Sequence, residues 1–403
     1  MTTTWPRAVW ILVGLLTAAA LAVRLIGAGA PPHYLYDEAY YVAAAQNLLG
    51  LPMAHGAMFP HAARFTDPNA GSAPPLGKVL VAGAIHLLGN APWVWRLPGA
   101  ITGASLPLTT AWLARTWWPG RPRIALIAAA LMAGSALGIG LSRVALLDST
   151  AIPVLWAGLA CWSAGLWPRV RWPLLLTGAV LLGAGPAIKW TGVQALGYAG
   201  LITLGVGWAQ RWPVRRWLGV GAALVSIPLA AYAAAYRFLW PPSAGFLGRV
   251  ARQQIRMFHT LWALRFHNTA LAPPWSWWVG GHPLILVEQR LPQGVTHSLL
   301  LINVPVTLAG ACALLGGGLW AFRTRRDRGA WVFLGAGTLA FWATWLLTPR
   351  STFGYYFYPM VPVLALALGA GLTACAPRVR WGVGALLALS CLAYLPFVVG
   401  VPL

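Results

Sequence analysis

Long apolar runs, rather than alternation or amphipathic stripes, organise this chain. A helix needs about 20 apolar residues to cross the hydrocarbon core of a bilayer. Windows of that kind occur near 8–28, 96–114, 124–142, 150–167, 172–188, 192–209, 217–236, 297–321, 330–348, 354–375 and 381–400. They predict an all-α polytopic membrane protein with eleven transmembrane helices, and the Pro and Gly inside them are tolerable in such spans. Two polar intervals are long, 29–95 and 237–296. Both are rich in Trp, Tyr, His and Pro, which suits amphipathic or re-entrant helices at the membrane surface. Residues 74–90 are apolar enough for a short span, but counting them inverts every later arginine loop, so they read as interfacial. Residues 8–28 have the outline of a signal peptide ending at Ala28-Gly29-Ala30. Pro31 is a poor context for cleavage, and an uncleaved first helix is expected.

The short loops give an orientation. Arg7, Arg115, Arg121, Arg123, Arg169, Arg171, Arg211, Arg215, Arg216, Arg323, Arg325, Arg326, Arg328, Arg378 and Arg380 account for 15 of the 28 basic residues. They fall in alternate loops or beside the N-terminus. By the positive-inside rule that side is cytoplasmic, with the N-terminus inside and the C-terminus outside. The two long intervals are then a first and a second outer loop on one membrane domain spanning 1–403.

Composition agrees. The chain is 59% hydrophobic and 8% charged, against about a quarter charged in soluble domains. A net charge of +22 first suggests nucleic acid, but the arginines are dispersed between apolar spans and form no basic face. Loop charge and contact with anionic membrane lipid explain about half of them instead. Cys161, Cys312, Cys375 and Cys391 lie in apolar stretches without metal-ligand spacing and read as small buried hydrophobes.

Acids are scarce enough to be informative. There are six, and Asp37, Glu38, Asp67, Asp148 and Glu288 map to the outer side, leaving Asp327 in a cytoplasmic arginine cluster. A shared polar site on the outer face accounts for that bias. Asp37 and Glu38 head a helical stretch, where acids can simply cap the helix. The alternative is that one of them is a general base, its pKa raised by partial burial. Arg143 and Asp148 close the third span and either pair with each other or divide their roles, Asp148 orienting a neighbour and Arg143 facing an anion. Lys78, Lys189 and Arg350 also fall on the outer side. Snorkelling explains each singly; together they suit a phosphate headgroup.

In the second outer loop, His259, His267, Asn268, Trp275 and Trp277 could orient a sugar by stacking and hydroxyl bonding, although Trp is also the usual interface residue. His33, His55 and His61 share the first loop with three acids, so a divalent metal is conceivable. None has zinc-site spacing, and neither a metal ligand nor a cofactor is assigned. No glycine-rich nucleotide loop occurs, which favours a lipid-linked donor.

These blocks resemble the protein O-mannosyltransferases, glycosyltransferase family 39, within the wider GT-C class. Asp37-Glu38 sits where that family has its Asp-Glu. Pro74-Pro75-Leu76-Gly77-Lys78 resembles its His-Pro-Pro-Leu-Gly-Lys, with Ala73 in the histidine position. Arg143 to Asp148 resembles its Arg-x-x-x-Leu-Asp, and Lys189-Trp190-Thr191-Gly192 its Lys-Trp-x-Gly. The stretch from Phe258-His259 through His267 to Trp275-Ser276-Trp277 is similar to the bacterial members' third conserved region. Arg350 to Pro359 resembles a further block, with Tyr356 where histidine is expected.

The resemblance implies transfer of a hexose, mannose in this family, from a polyprenyl-phosphate sugar to Ser or Thr of an exported protein. Asp37 would be the base, attack in-line, and the anomeric configuration inverted. The family's soluble sugar-binding repeats are absent from the second loop. A plasma-membrane enzyme with an outward site is implied. Transfer to a lipid or cell-wall glycan, as in aminoarabinose transferases, is the alternative. A transporter or flippase fits less well, because charges gather at span ends and no repeat is visible.

Overall fold

The computed structural model describes residues 5–53, 55–63, 66–241, 243–262, 264–265, 269–291 and 294–399. In chain order the helices are α1 (Arg7–Leu25), α2 (Glu38–Leu48), α3 (Leu76–Leu88), α4 (Pro92–Ala104), α5 (Leu106–Trp117), α6 (Pro122–Ala133), α7 (Ala136–Ser142), α8 (Leu147–Leu166) and α9 (Trp172–Ile188). There follow α10 (Val193–Ala209), α11 (Val214–Ala235), α12 (Phe246–Trp262), a hairpin of β1 (Leu284–Leu291) and β2 (Gly294–Leu300), then α13 (Val304–Thr324). Next, α14 (Arg328–Thr338) runs through a π-helical turn, Leu339–Ala343, into the short α15 (Thr344–Leu346). Finally, α16 (Val361–Ala374) and α17 (Pro377–Val399) complete the chain.

Local sequence explains many boundaries. Pro92, Pro107, Pro122, Pro173, Pro305 and Pro362 each stand in a first helical turn, where proline's missing N–H has no intrahelical partner to lose. The window at 124–142 is a broken span. α6 stops at Gly134, the Ser135 hydroxyl accepts from the Gly138 N–H at 3.2 Å, and α7 departs at 51°.

Every one of the eleven windows holds a helix or a helix pair. By length and apolarity, seven helices among the described residues can cross a membrane, or eight when α6 and α7 count as one span. The windows at 96–114, 172–188 and 192–209 hold α4 with α5, α9 and α10, which are 12 to 17 residues long and too short for that criterion. At 13 residues, α3 is about 20 Å long, in keeping with an interfacial helix. The all-helical expectation needs one correction: β1 and β2 form an antiparallel pair in the second long interval.

Helix α8 is the centre of the bundle, buried along its length except at Val154 and Ala157. It returns through the Arg169–Arg171 turn into α9, and glycines let the two backbones touch. A Cβ on Gly178 would lie 2.8 Å from the Trp162 nitrogen, and one on Gly165 would lie 2.9 Å from Leu175. In lipid, where apolar burial gives helices no preference for each other, such close packing supplies the association. The hairpin has a consequence for chemistry. It brings Asp148, in the first turn of α8, and Lys189, just past α9, to the same end of the bundle, opposite the Arg169–Arg171 turn.

Candidate active site

Glu38 and Asp37 are chain neighbours in different surroundings. Glu38 is fully buried and accepts four hydrogen bonds. Arg96 Nε and Nη2 reach Oε1 and Oε2 at 2.9 Å each. The Leu35 N–H reaches Oε2 and the Ala145 N–H reaches Oε1, both at 2.8 Å. Arg96 is equally buried and also donates to the carbonyls of Ala28, Ala30, Pro31 and His33. The pair therefore ties the end of α1, the start of α2, α4 and the turn before α8 into one knot. Both oxygens of Glu38 already hold donors, an arrangement for positioning its neighbours.

Asp37 stands at the N-cap position of α2, but its side chain makes no capping hydrogen bond. The Tyr41 hydroxyl, one turn along, donates to its Oδ2 at 3.4 Å. Burial raises the carboxyl pKa to about 6; the positive charge of Lys189 opposes that rise and the negative charge of Asp148 adds to it. Burial also holds the Tyr41 hydroxyl well above its usual range, with Asp37 contributing, so Tyr41 stays protonated and able to donate. Tyr36 takes a φ of +49°, a conformation few non-glycine residues adopt. Its ring meets Phe353 and Tyr355 edge-on at 6.5 Å.

Facing Asp37 is a charged cluster drawn from three distant segments. Lys189 pairs with Asp148 and lies 5.1 Å from the Tyr356 ring centre and 5.7 Å from that of Tyr355. Arg350 shares Tyr356: its Nη2 donates to the hydroxyl at 3.2 Å and its guanidinium carbon is 5.7 Å from the ring centre. Arg350 Nε is buried without an acceptor among the described residues. The recess thus holds two carboxylates, two cations and a wall of tyrosines. Such a site can take a proton at Asp37 and stabilise an anion at Lys189 and Arg350.

Other sequence candidates lie elsewhere. Arg143 donates to the carbonyls of Val23, Ile26 and Val399, so it anchors the end of α1 against the last helix and does not join the cations above. Lys78 is fully buried, paired with Asp67 at 2.5 Å and bonded to the Ala73 carbonyl at 2.9 Å. It pins the first long loop instead of facing an open site. Trp277 is also internal, its Nε1 donating to the Ala272 carbonyl at 2.9 Å and its ring packed on Trp345, Tyr356 and Phe357. Trp275, by contrast, is 67% exposed. His259 is exposed on α12, against Phe258. His267 and Asn268 lie outside the described residues. Among the described residues no group of three His, Cys, Asp or Glu side chains is placed to hold a metal ion.

Two contributors escaped the sequence reading. Arg96 is an arginine among apolar residues, and that isolation was the available signal. Tyr41 follows Asp37 at the i+4 spacing that brings helical side chains together. The two long loops also dock on each other: Gln253 on the buried edge of α12 donates to the Ala70 carbonyl. Gln254 beside it accepts from Trp190 Nε1 at 3.1 Å.

This layout can be set beside known proteins. The family model described as dolichyl-phosphate-mannose-protein mannosyltransferase matches residues 14–239, more than half of the chain, and that stretch carries Asp37, Glu38, Asp148 and Lys189. The chain belongs to that family. It is a multi-pass membrane glycosyltransferase. The polyprenol-phosphate-mannose–protein mannosyltransferase of Mycolicibacterium smegmatis is 26% identical over 436 residues, spanning 89% of this chain and 81% of the relative. That of Mycobacterium tuberculosis is 27% identical over 435 residues, spanning 89% and 80%. Among solved structures, the S. cerevisiae protein O-mannosyltransferase Pmt1-Pmt2 complex bound to the sugar donor matches with a TM-score of 0.81 at 13% identity, covering 100% of this chain and 91% of that one. ArnT from Cupriavidus metallidurans bound to undecaprenyl phosphate matches at 0.62 and 19% identity, covering 93% and 62%. At those identities the mannosyltransferase-family chain shares a fold with both structures.

Proposed function

We propose that this chain transfers a mannosyl group from a polyprenyl phosphate to a serine or threonine hydroxyl of an exported protein, with Asp37 as general base. The observation that carries this reading is the state of Asp37. It is a partly buried carboxylate with no salt bridge of its own among the described residues, poised with a pKa of about 6 beside the Lys189–Asp148 pair. A base is most effective when its pKa lies near the working pH.

In the reaction, the acceptor oxygen attacks the anomeric carbon while the bond from that carbon to the phosphate oxygen breaks. The hydroxyl proton passes to Asp37, and the phosphate leaves as an anion beside Lys189 and Arg350. A phosphate is a good enough leaving group to depart without a separate acid. In-line attack inverts the anomeric centre. Asp148 holds Lys189 in place, and Glu38 with Arg96 fixes the backbone that carries Asp37. Trp275 and His259, both exposed, are the candidates for contacting an acceptor chain. The site would face the outer side of the plasma membrane, away from the arginine loops, with the N-terminus cytoplasmic.

The test offers the purified protein mannosyl polyprenyl phosphate with Ser/Thr peptides, and in parallel with lipid and glycan acceptors. Hexose on the peptide hydroxyls, read by mass spectrometry, is the expected product. Transfer to a lipid or glycan alone would replace the protein acceptor with the alternative one.

A further inference from the structure

Helix α17 is lightly packed. Of its 23 residues, Leu387 and Val398 alone are buried. Between α17, α6 and α16 runs a cleft of about 780 Å³, walled by Leu126, Ile127, Leu131, Leu372, Leu387 and Leu392. One end carries Arg123, Arg380 and Trp381. No acid lines this cleft. Among the described residues neither guanidinium has an ion-pair partner, and Asp327 is taken by Arg121 at 2.8 Å.

Three physical features converge on one class of ligand. The two arginines stand in the first turns of α6 and α17, where the helix dipoles add partial positive charge. From Arg123 to Leu131 is about 12 Å along α6, and from Arg380 to Leu392 about 18 Å along α17. Those lengths bracket half of a hydrocarbon core of about 30 Å. Trp381, 74% exposed, is the residue type that settles at headgroup level.

We propose that this cleft binds an anionic phospholipid, with its phosphate between Arg123 and Arg380 and an acyl chain along the leucine wall. The cleft is separate from the catalytic recess. α6 and α7 run from Arg123 towards the turn that starts α8 at Asp148, so the two lie at opposite ends of the bundle. Binding here ties α17 to the bundle across a gap that the protein's own side chains leave open.

The experiment follows thermal unfolding of the purified full chain in neutral detergent as phosphatidylglycerol or phosphatidylcholine is added, with native mass spectrometry counting bound lipid. Saturable stabilisation by phosphatidylglycerol, and little by phosphatidylcholine, is expected. The Arg123→Gln/Arg380→Gln double variant should weaken half-saturation on the order of tenfold. Gly384→Leu should weaken it too: Gly384 lines the cleft and a Cβ there meets no other atom within 4 Å, so the variant is expected to fold with its leucine in the cleft. Arg323→Gln/Arg325→Gln, on another loop of the arginine-rich side, should bind as wild type. Equal weakening in that control would reduce the effect to general surface charge and overturn the proposal. So would an unchanged Gly384→Leu, equal response to both lipids, or displacement of phosphatidylglycerol by polyprenyl phosphate at lower concentration.

Discussion

Arg96 grips Glu38 through both carboxylate oxygens, at 2.9 Å each, where both side chains are fully buried. The residue before it, Asp37, has no such partner among the described residues and is bonded weakly by Tyr41. One peptide unit therefore separates a carboxylate saturated by the fold from one left available. On the proposed mechanism this division leaves architecture to Glu38 and proton transfer to Asp37, and it can be broken experimentally at either residue.

Removing the charge of Glu38 leaves Arg96 buried with an uncompensated cation. Breaking a buried pair from one side costs about 3–5 kcal/mol. Glu38→Gln should therefore lower the unfolding temperature of the purified protein, with activity falling in step with the folded fraction. A Glu38→Gln protein with wild-type thermal stability and no turnover would move Glu38 into the chemistry.

The electrostatics of the recess give a signed pH prediction. Asp37 must be ionised to accept a proton, so kcat/KM should fall as pH drops through about 6. Lys189 holds that pKa down and Asp148 holds it up. Lys189→Met should then move the acidic limb to higher pH, and Asp148→Asn should move it lower. Limbs that stay fixed in both variants would remove Asp37 as the titrating group.

The readable and unreadable parts of the site separate on physical grounds. Apolar windows mark helices because lipid demands internal backbone bonding, and the Asp148–Lys189 approach follows from an α8–α9 hairpin whose ends the sequence locates well. The destinations of long side chains do not follow from spacing. Arg143 and Lys78 read as phosphate ligands, yet Arg143 is spent on backbone carbonyls and Lys78 on Asp67. Trp277 lies in the same aromatic segment as Trp275, and tertiary packing alone decides that one is core and the other exposed. The hairpin β1–β2 was hidden because a single interval of mixed polarity, next to a span, carries no helix-or-strand period strong enough to separate it.

The cations can be sorted by the same logic. Arg350 has an unused buried Nε and a hydroxyl partner in Tyr356, which suits a donor phosphate. Arg350→Ala should raise the donor KM and cost on the order of 2–5 kcal/mol in kcat/KM. Arg143→Ala should lower thermal stability, because three carbonyls lose their donor, while the donor KM of the folded protein stays within about twofold. Equal KM effects in the two variants would return Arg143 to the phosphate site.

Asp37→Asn separates base catalysis from every structural role, because the two predict opposite changes. As a base, Asp37 cannot be replaced by an amide, and turnover should fall roughly a hundredfold to ten-thousandfold. Stability should move the other way. The folded-state pKa is raised from 3.8 to about 6, so ionised Asp37 is less favourable in the folded protein than in the unfolded chain. Wild-type stability is therefore lost progressively as pH rises from the ordinary carboxylate range through about 6, and asparagine escapes that loss. Above pH 7 the Asp37→Asn protein should unfold at a higher temperature than wild type, by a free energy on the order of 1–3 kcal/mol. Near pH 4 the two should converge. A dead and less stable Asp37→Asn protein at pH 7.5 would mean that the carboxylate holds the fold, and the role of base would have to pass to another group in the recess.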